Sequence, residues 1–370
     1  MHPFLQQLLQ GQAVEWKTLG EVANLNRGRV MSKTYLADNI GEYPVYSSQT
    51  ANNGEIGKIN TFDFEGEFIT WTTDGANAGT VFYRNEKFSI TNVCGLITLK
   101  YDYLTYKFLF YWLSIQAKKH VYSGMGNPKL MSNQMEKIQI PIPPLSVQSQ
   151  IVQILDTFTE LTAELTAELS MRQKQYQYYR DFLLSEHELA KVGFEWKSLG
   201  ELGIINRGKR VIKNQLTTEG SYPVYQNSLQ PLGYFDKFNV KANTTFMITA
   251  GAAGEIGYSN CAFWSADDCY YFDCPKDVLD NRFLYHSLKK QQNKIFSQVR
   301  KASIPRLGRN SVENIKIPIP PLSVQSQIVA ILDTFDVLTQ SISDGLPKEI
   351  QLRQKQYEYY RELLLGFPMI

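Results

Sequence analysis

A chain of 370 residues has room for two or three domains, and 43% hydrophobic with 20% charged residues is the balance of a globular protein. A formal charge of only +2 gives no general pull on an anionic partner, so any basic surface has to be local. Cys94, Cys261, Cys269 and Cys274 form no C-x-x-C pair and have no histidine at ligand spacing, which speaks against zinc and for buried or incidental thiols in a reducing compartment.

In chain order, the first element is a short apolar stretch, Phe4, Leu5, Leu8 and Leu9, ahead of Glu15-Trp16. It lacks the charged start and long apolar core of a signal peptide, and no stretch approaches the ~20 apolar residues of a membrane span; the expected location is the cytoplasm. Residues about 28–130 then read as β-rich. Phe68–Trp71, Thr80–Tyr83 and Cys94–Leu99 are strand-like runs separated by turns such as Asn52-Asn-Gly54 and Asp74-Gly75. A helical segment, Tyr106–Leu113, closes this first head.

Pro143-Pro144 marks the start of a long helix, with Ser146 as its N-cap. Apolar residues at 151, 154, 158, 161 and 165 have the 3-4-3-4 spacing of a coiled-coil seam, and an unbroken run to Leu184 would be roughly 60 Å long. Within it, Thr162-Ala-Glu-Leu165 is followed at once by Thr166-Ala-Glu-Leu169, an insert of about one turn that shifts the heptad phase. A second head comes next, with strand-like Thr245–Thr249 and Gly254–Gly257 and a helical Arg282–Leu288. Pro320-Pro321 and Ser323 then open a second helix, with apolar positions 328, 331, 335, 338 and 342. Ser343-Asp-Gly-Leu-Pro347 should kink or break it.

The dominant feature is that the chain is written twice, with a domain-sized period near 180 residues that excludes a short-repeat solenoid. Glu15–Gly20 recurs at Glu195–Gly200, Asn26-Arg-Gly28 at Asn206-Arg-Gly208, and Tyr43-Pro-Val-Tyr46 at Tyr222–Tyr225. Ile140–Val152 returns unchanged at Ile317–Val329, and Arg172-Gln-Lys-Gln-Tyr176 at Arg353–Tyr357. The segment from Pro141 onward is nearly identical in the two copies, whereas residues 28–130 and 208–307 keep scattered matches. A constant scaffold carrying two variable heads explains this better than uniform drift. The N-terminal stretch resembles the Phe182–Trp196 link, so the chain looks close to cyclic, with its two ends meeting to complete a pseudo-twofold body.

The doubled Ile-Pro-Ile-Pro-Pro-Leu-x-x-Gln…Ile-Leu-Asp, the Thr-Ala-Glu-Leu tandem and the Arg-Gln-Lys-Gln-Tyr beyond it resemble the specificity subunits of type I restriction–modification systems, over the whole chain. The tandem is similar to the class in which tetrapeptide copy number sets the spacer of the recognised sequence. The resemblance implies a non-catalytic subunit that binds a bipartite site in double-stranded DNA, one head per half-site. It implies partners as well: two adenine-methylating modification subunits, docked on the helices, and ATP-dependent restriction subunits. No cofactor or metal is expected. The expected fold is α+β, two small mixed α/β recognition domains joined by two long antiparallel coiled-coil helices. The expected division is 1–143, first recognition domain; 144–186, first spacer helix; 187–320, second recognition domain; and 321–370, second spacer helix.

DNA contacts are expected from polar or basic residues on glycine-rich loops. In the first head these are Arg27, Arg29, Lys33, Ser47, Ser48, Gln49, Asn52, Asn53, Thr73, Asp74, Asn77 and Lys129. In the second they are Arg207, Lys209, Arg210, Lys213, Gln226, Asn227, Arg306 and Arg309. Positions that repeat, Arg27 with Arg207 and Lys129 with Arg306, suit backbone contacts, because heads reading different sequences should differ where bases are read. Thr162, Leu165, Thr166 and Leu169 carry the spacer repeat.

Two other classes fit less well. A fused methyltransferase needs a glycine-rich cofactor loop and an Asn/Asp-Pro-Pro-aromatic motif, and neither Asn127-Pro-Lys-Leu130 nor Gly251-Ala-Ala-Gly254 supplies one. A coiled-coil adaptor explains the helices but not why the heads diverge on a constant scaffold. A related single-complex restriction–modification enzyme would share this architecture.

Overall fold

A computed structural model describes residues 2–123, 126–341 and 344–368, apart from the side chain of Lys213. The chain divides into one unit of Met1–Ala163 with Gln351–Ile370 and another of Glu164–Ile350.

In the first unit the strand-like runs become β1 (Glu15–Thr18), β2 (Ala23–Arg27), β3 (Ile40–Tyr46), β4 (Glu55–Ile59), β5 (Phe64–Thr72), β6 (Val81–Ile90), β7 (Cys94–Leu99) and β8 (Gln139–Ile142). Six of them form one sheet in the order β2-β7-β5-β6-β3-β4, antiparallel except for the β3–β6 pair. Gly95 of β7 faces Trp71 of β5, and a Cβ there would lie 2.2 Å from the indole ring. The glycine is what lets the largest core side chain lie flat across its neighbour.

β1 pairs separately with β8, setting Trp16 opposite Pro141. Proline is tolerated because this is a two-stranded ribbon with a free edge. The helices of this unit include α1 (Pro3–Leu9), α2 (Lys33–Asp38) and α3 (Tyr106–Gln116), the last buried through Phe108, Leu109, Trp112 and Leu113.

The long helix α4 (Leu145–Leu183) comes next, 39 residues and about 58 Å at the usual rise. Its start differs from the sequence expectation. Ser146 lies inside the first turn, and the backbone N–H groups of Val147 and Gln148 donate to Pro144 O instead. Ser323 is likewise inside its helix, where Val324 and Gln325 donate to Pro321 O. A serine two residues past the cap position cannot cap.

The second unit continues with α5 (Glu186–Ala190) and repeats the head as β9 (Glu195–Ser198), β10 (Ile205–Arg207), β11 (Tyr222–Tyr225), β12 (Gly233–Phe235), β13 (Thr244–Ile248), β14 (Ile256–Ser259), β15 (Trp264–Ser265), β16 (Cys269–Phe272) and β17 (Lys316–Ile319). Here the sheet is divided, β10-β16-β13-β14 in one part and β12-β11-β15 in the other. The strand corresponding to β6 is broken between Ser259 and Trp264, and its two pieces serve the two parts. Head helix α6 (Asn281–Lys290) matches α3, and β9 pairs with β17 as β1 does with β8. Then come α7 (Leu322–Gln340) and α8 (Leu346–Leu364).

The break between α7 and α8 falls where a kink was expected. Ile342 and Ser343 lie outside the described residues. Gly345 has φ +85°, and a Cβ on it would sit 2.5 Å from Val337 O. The Thr-Ala-Glu-Leu tandem, in contrast, leaves α4 unbroken.

Each spacer helix is held by its own head. Val147, Ile151 and Leu155 are buried in the first unit, Ile328 and Leu332 in the second, a four-residue rhythm that places one stripe against the head. The expected seam positions 154 and 331 differ: Ile154 is half-buried and packs against the first core, whereas Ile331 is 43% exposed.

Between those apolar residues sits a buried glutamine. Gln148 donates from Nε2 to Tyr103 O (2.8 Å) and Pro143 O (2.9 Å) and accepts from Thr105 N (2.9 Å). Gln325 does the same with Val278 O, Pro320 O and Asp280 N, at 2.9, 2.8 and 2.8 Å. One side chain thus satisfies the backbone of both the helix entry and the approach to the head helix.

Around this clamp the charged contacts differ. Asp156 receives Lys107 Nζ and Tyr111 OH in the first unit. In the second, Arg282 bridges Asp333 (2.7 Å) and Asp336 (2.6 Å), and His286 donates from Nε2 to Asp333 (2.7 Å). Burial holds the His286 imidazole below the ordinary histidine value, against the raising pull of Asp333.

The expected meeting of the chain ends is present within the first unit. Leu364, Leu365 and Phe367 enter the same core as Leu5 and Leu9, with Phe367 6.2 Å from both Phe108 and Trp112. Phe158 of α4 stacks on Tyr360 of α8 at 5.2 Å. In the second unit an uninterrupted chain fills the same places with Leu184 and Leu189, and Tyr176 and Tyr179 stack on Phe335. In both, a helix leaving the head lies beside one returning to it.

Gln148→Ala strands three backbone groups in the core, so unfolding of the first unit in urea should show a loss of at least about 2 kcal/mol, with Gln325→Ala doing the same to the second. A change under about 0.5 kcal/mol would show that the clamp is decorative.

Candidate nucleic-acid interface

The repeated Asn-Arg-Gly ends β2 and β10, and its glycine explains itself. A Cβ on Gly28 would lie 1.9 Å from Ile90 O, and one on Gly208 2.0 Å from Ala266 O. Their N–H groups donate to Cys94 O and Cys269 O (3.4 and 3.0 Å). Only glycine lets the chain cross this closely, and the crossing sends the preceding arginine, Arg27 or Arg207, out to solvent.

In the first head, the candidate loops meet at the same end of the sheet. Ser48 Oγ donates to Asp74 O (2.8 Å) and accepts from Asp74 N (3.1 Å), joining the β3–β4 and β5–β6 loops. Ser47 Oγ accepts from Thr91 (2.8 Å), and Gln49 donates to Glu55 O (2.6 Å). Thr73 is fully buried, donating to Val93 O (2.7 Å) and Asp74 Oδ2 (2.6 Å). Lys129, which pairs with Tyr122 along the backbone, and its neighbours join through Gly75 N to Pro128 O (3.0 Å), Leu130 N to Thr73 O (2.9 Å) and an Asp74–Lys129 ion pair at 3.9 Å.

The candidates therefore separate into two layers. Ser47, Ser48, Gln49, Thr73 and Asp74 tie the loops together and use their polar atoms in doing so. Thr73 is a correction: with no exposed surface it supports the loops and offers nothing to a ligand. Arg27, Lys33, Asn52, Asn53, Asn77 and Lys129 are exposed above them. Arg29 is exposed too, but its guanidinium is held by Tyr35 OH (3.2 Å) and Asp63 Oδ2 (3.1 Å), which lift its basicity further.

The second head repeats the plan. Arg207 Nε donates to Asp267 O (3.0 Å) with its side chain otherwise exposed, and Trp264 Nε1 donates to Lys209 O (2.8 Å). Arg306 bridges Ala250 and Arg300 along the backbone, as Lys129 bridges Asp74 and Tyr122. The repeat pairing of Lys129 with Arg306 is thus a structural equivalence. Arg210 and Asn227 are exposed, and Gln226 is half-buried. Asn227 O accepts from Ala252 N (2.9 Å). Arg309 is turned into an ion pair with Glu313 (2.7 Å) on its own helix. Lys213 lies outside the described side chains.

Two cations escaped the sequence reading. Arg300 and Lys301 stand on the hairpin that presents Arg306. The signal was available: the bridging position recurs in both heads as Lys129 and Arg306, and basic residues near a repeated basic position share its surface. Among the described residues no group of three or more His, Cys, Asp or Glu side chains is arranged to hold a metal, and no helix is long and apolar enough to cross a membrane. Burial pushes the thiols of Cys94, Cys269 and Cys274 up to about 12, so they stay protonated and unreactive.

The arrangement brings positive charge and amide groups to one loop end of each head, above a hydrogen-bonded base. That suits a polyanion whose backbone takes the repeated cations while amides and arginines meet base edges.

Residues 13–171 and 191–352 match the family described as type I restriction modification DNA specificity domain. A protein of Mycoplasma pneumoniae named as a putative type I specificity subunit is 35% identical over 93% of this chain and 95% of its own length. The EcoR124I/EcoR124II specificity subunit of Escherichia coli is 33% identical over 99% and 97%. Among solved structures, the type I restriction-modification S subunit from M. genitalium shares the fold with a TM-score of 0.70, covering 97% of each chain at 19% identity.

Gly208→Ala should push the end of β10 away from Ala266, destabilising the second unit by about 1–3 kcal/mol and weakening its DNA binding, with the first unit's transition unmoved. Separate melting of the two units by calorimetry reads this directly; an unchanged second transition would refute the close crossing.

Proposed function

Since the chain belongs to the type I restriction modification DNA specificity family, we propose that each of its heads reads one half of a bipartite, asymmetric site in double-stranded DNA and that its helices set the distance between the halves. Type I specificity subunits are non-catalytic and work with modification and restriction subunits. For this chain the partners are two adenine-methylating subunits, docked along the spacer helices, and ATP-driven restriction subunits, acting in the cytoplasm where the DNA lies.

The observation that carries the reading is the pair of equivalent loop ends. Arg27 and Arg207, and Lys129 and Arg306, occupy matching places in two heads of one fold. These repeated cations take phosphates, which every sequence offers. The residues that differ between heads, Asn52, Asn53 and Asn77 in one and Lys209, Arg210 and Asn227 in the other, read bases. Arginine and lysine match guanine and asparagine matches adenine. The inner layer of Ser47, Ser48, Gln49, Thr73 and Asp74 holds this surface rigid, and Arg29 and Arg309 are engaged in ion pairs with Asp63 and Glu313.

The tandem is the ruler, and the chain falls in the Thr-Ala-Glu-Leu class. Thr162, Leu165, Thr166 and Leu169 lie in an unbroken helix. Four residues therefore displace the rest of the helix by ~6 Å and turn it by ~40°. One base pair turns B-DNA by roughly 34–36°, so one tetrapeptide compensates for about one base pair.

Deleting Thr166–Leu169 should shorten the methylated motif's spacer by about one base pair and leave both half-sites unchanged, as read by mapping methylated adenines in cells carrying the complex. Altered half-sites would sink the ruler. Lys129→Ala and Arg306→Ala should each lower the slope of log binding against log salt by ~1 without changing the motif. A changed motif would move that residue from the phosphate class to the base-reading class.

A further inference from the structure

The first head encloses a cation deep in its sheet, away from the loop surface. Arg84, in the middle of β6, is 2% exposed. Its guanidinium lies 3.5 Å from the centre of the Tyr46 ring and 4.7 Å from that of Phe82, and burial pulls it below the ordinary arginine value. Its hydrogen bonds go to two uncharged acceptors, Thr70 Oγ1 at 3.3 Å and the backbone oxygen of Asn53 at 2.7 Å. A buried cation is costly to keep, and an apolar side chain of similar size would fill the space at less expense.

The backbone that the arginine reaches is unusual. Asn52 and Asn53 are consecutive left-handed residues, at φ 48° and 54°, and Gly54 comes next at +87°. Two consecutive non-glycine residues in this region are strained unless the surroundings hold them. The surroundings are few: Ser47 N donates to Gly54 O (3.0 Å), Gln49 donates to Glu55 O, and Arg84 takes the Asn53 oxygen from beneath. A Cβ on Gly54 would come within 3.3 Å of Arg84 Nη2. Asn52 and Asn53 themselves stand exposed on the outer side of this turn.

We infer that Arg84 is a positioning residue for sequence recognition: anchored against Tyr46 inside the sheet, it fixes the Asn53 carbonyl and so sets where the Asn52 and Asn53 amides meet the bases of the first head's half-site. This rests on the assignment of those asparagines as base contacts. The planar guanidinium can stack on Tyr46 and donate to Thr70 and Asn53 at once, whereas a lysine offers a single point charge. The recognition loop is therefore shaped from within the head, by a residue that never touches DNA.

The test uses the full chain with its modification subunits in cells whose methylated adenines are mapped. Asn52→Gly/Asn53→Gly keeps the left-handed backbone, removes both amides and marks the half-site read by the first head. Arg84→Lys is expected to relax preference at that same half-site about tenfold, the discrimination of one side-chain–base pairing, with the other half-site and non-specific DNA affinity unchanged. Thr70→Val removes the other acceptor that Arg84 holds, leaves the backbone of the turn untouched and should give the same relaxed half-site. It decides the matter if Arg84→Lys does not fold. Wild-type preference in Arg84→Lys, or equal relaxation at both half-sites, overturns the inference alone. Wild-type preference in the double asparagine variant removes the contact assignment and the inference with it.

Discussion

A helix of 39 residues with a narrow apolar stripe has no stable position of its own. Its placement has to come from one end, and in both copies it comes from a few residues after the paired prolines. Proline excludes itself from the helix and leaves a carbonyl free to start it. A buried glutamine a few residues on ties that entry to the loop before the head helix. With Ile151 and Leu155, or Ile328 and Leu332, packed beside it, the helix direction is set by the head it leaves. The returning helix packs beside the helix so placed, with Tyr360 on Phe158 in the first unit and Tyr176 on Phe335 in the second.

The joint is the same in both units while its surroundings are not. Lys107 and Tyr111 share one carboxylate in the first, whereas Arg282 and His286 share two in the second. The sheet follows the same division of labour. One long β6 spans the first head, and its counterpart is broken in the second, yet the strand order survives. A frame that tolerates such changes lets the heads differ in what they recognise without disturbing what carries them.

The candidate interface has a similar economy. Short polar side chains beneath the loops use up their hydrogen bonds on backbone groups, and long or amide side chains above them stay exposed. Rigid support below and exposed donors above is what selective recognition needs, since a loop that must be ordered on binding loses affinity to entropy. Arg84 extends this logic one layer deeper, from the loop surface into the sheet.

The doubled Ile-Pro-Ile-Pro-Pro-Leu segment, the tetrapeptide tandem and the break at Gly345 determined by themselves that two like heads alternate with two helices, because repetition and proline act locally along the chain. The repeated Asn-Arg-Gly could be read in the sequence as a repeat, but the reason for its glycine, a close crossing over Ile90 or Ala266, lies in the fold. The tertiary structure decided the rest. That Ile331 is exposed and Leu332 buried depends on which face the head covers, and the spacing of apolar residues allows either. That Thr73 is interior while Asn52 and Asn53 are exposed, and that Arg84 lies under their turn, depends on strands far apart in sequence meeting in one sheet. Polar residues on neighbouring loops look alike in sequence until folding buries one and exposes the next.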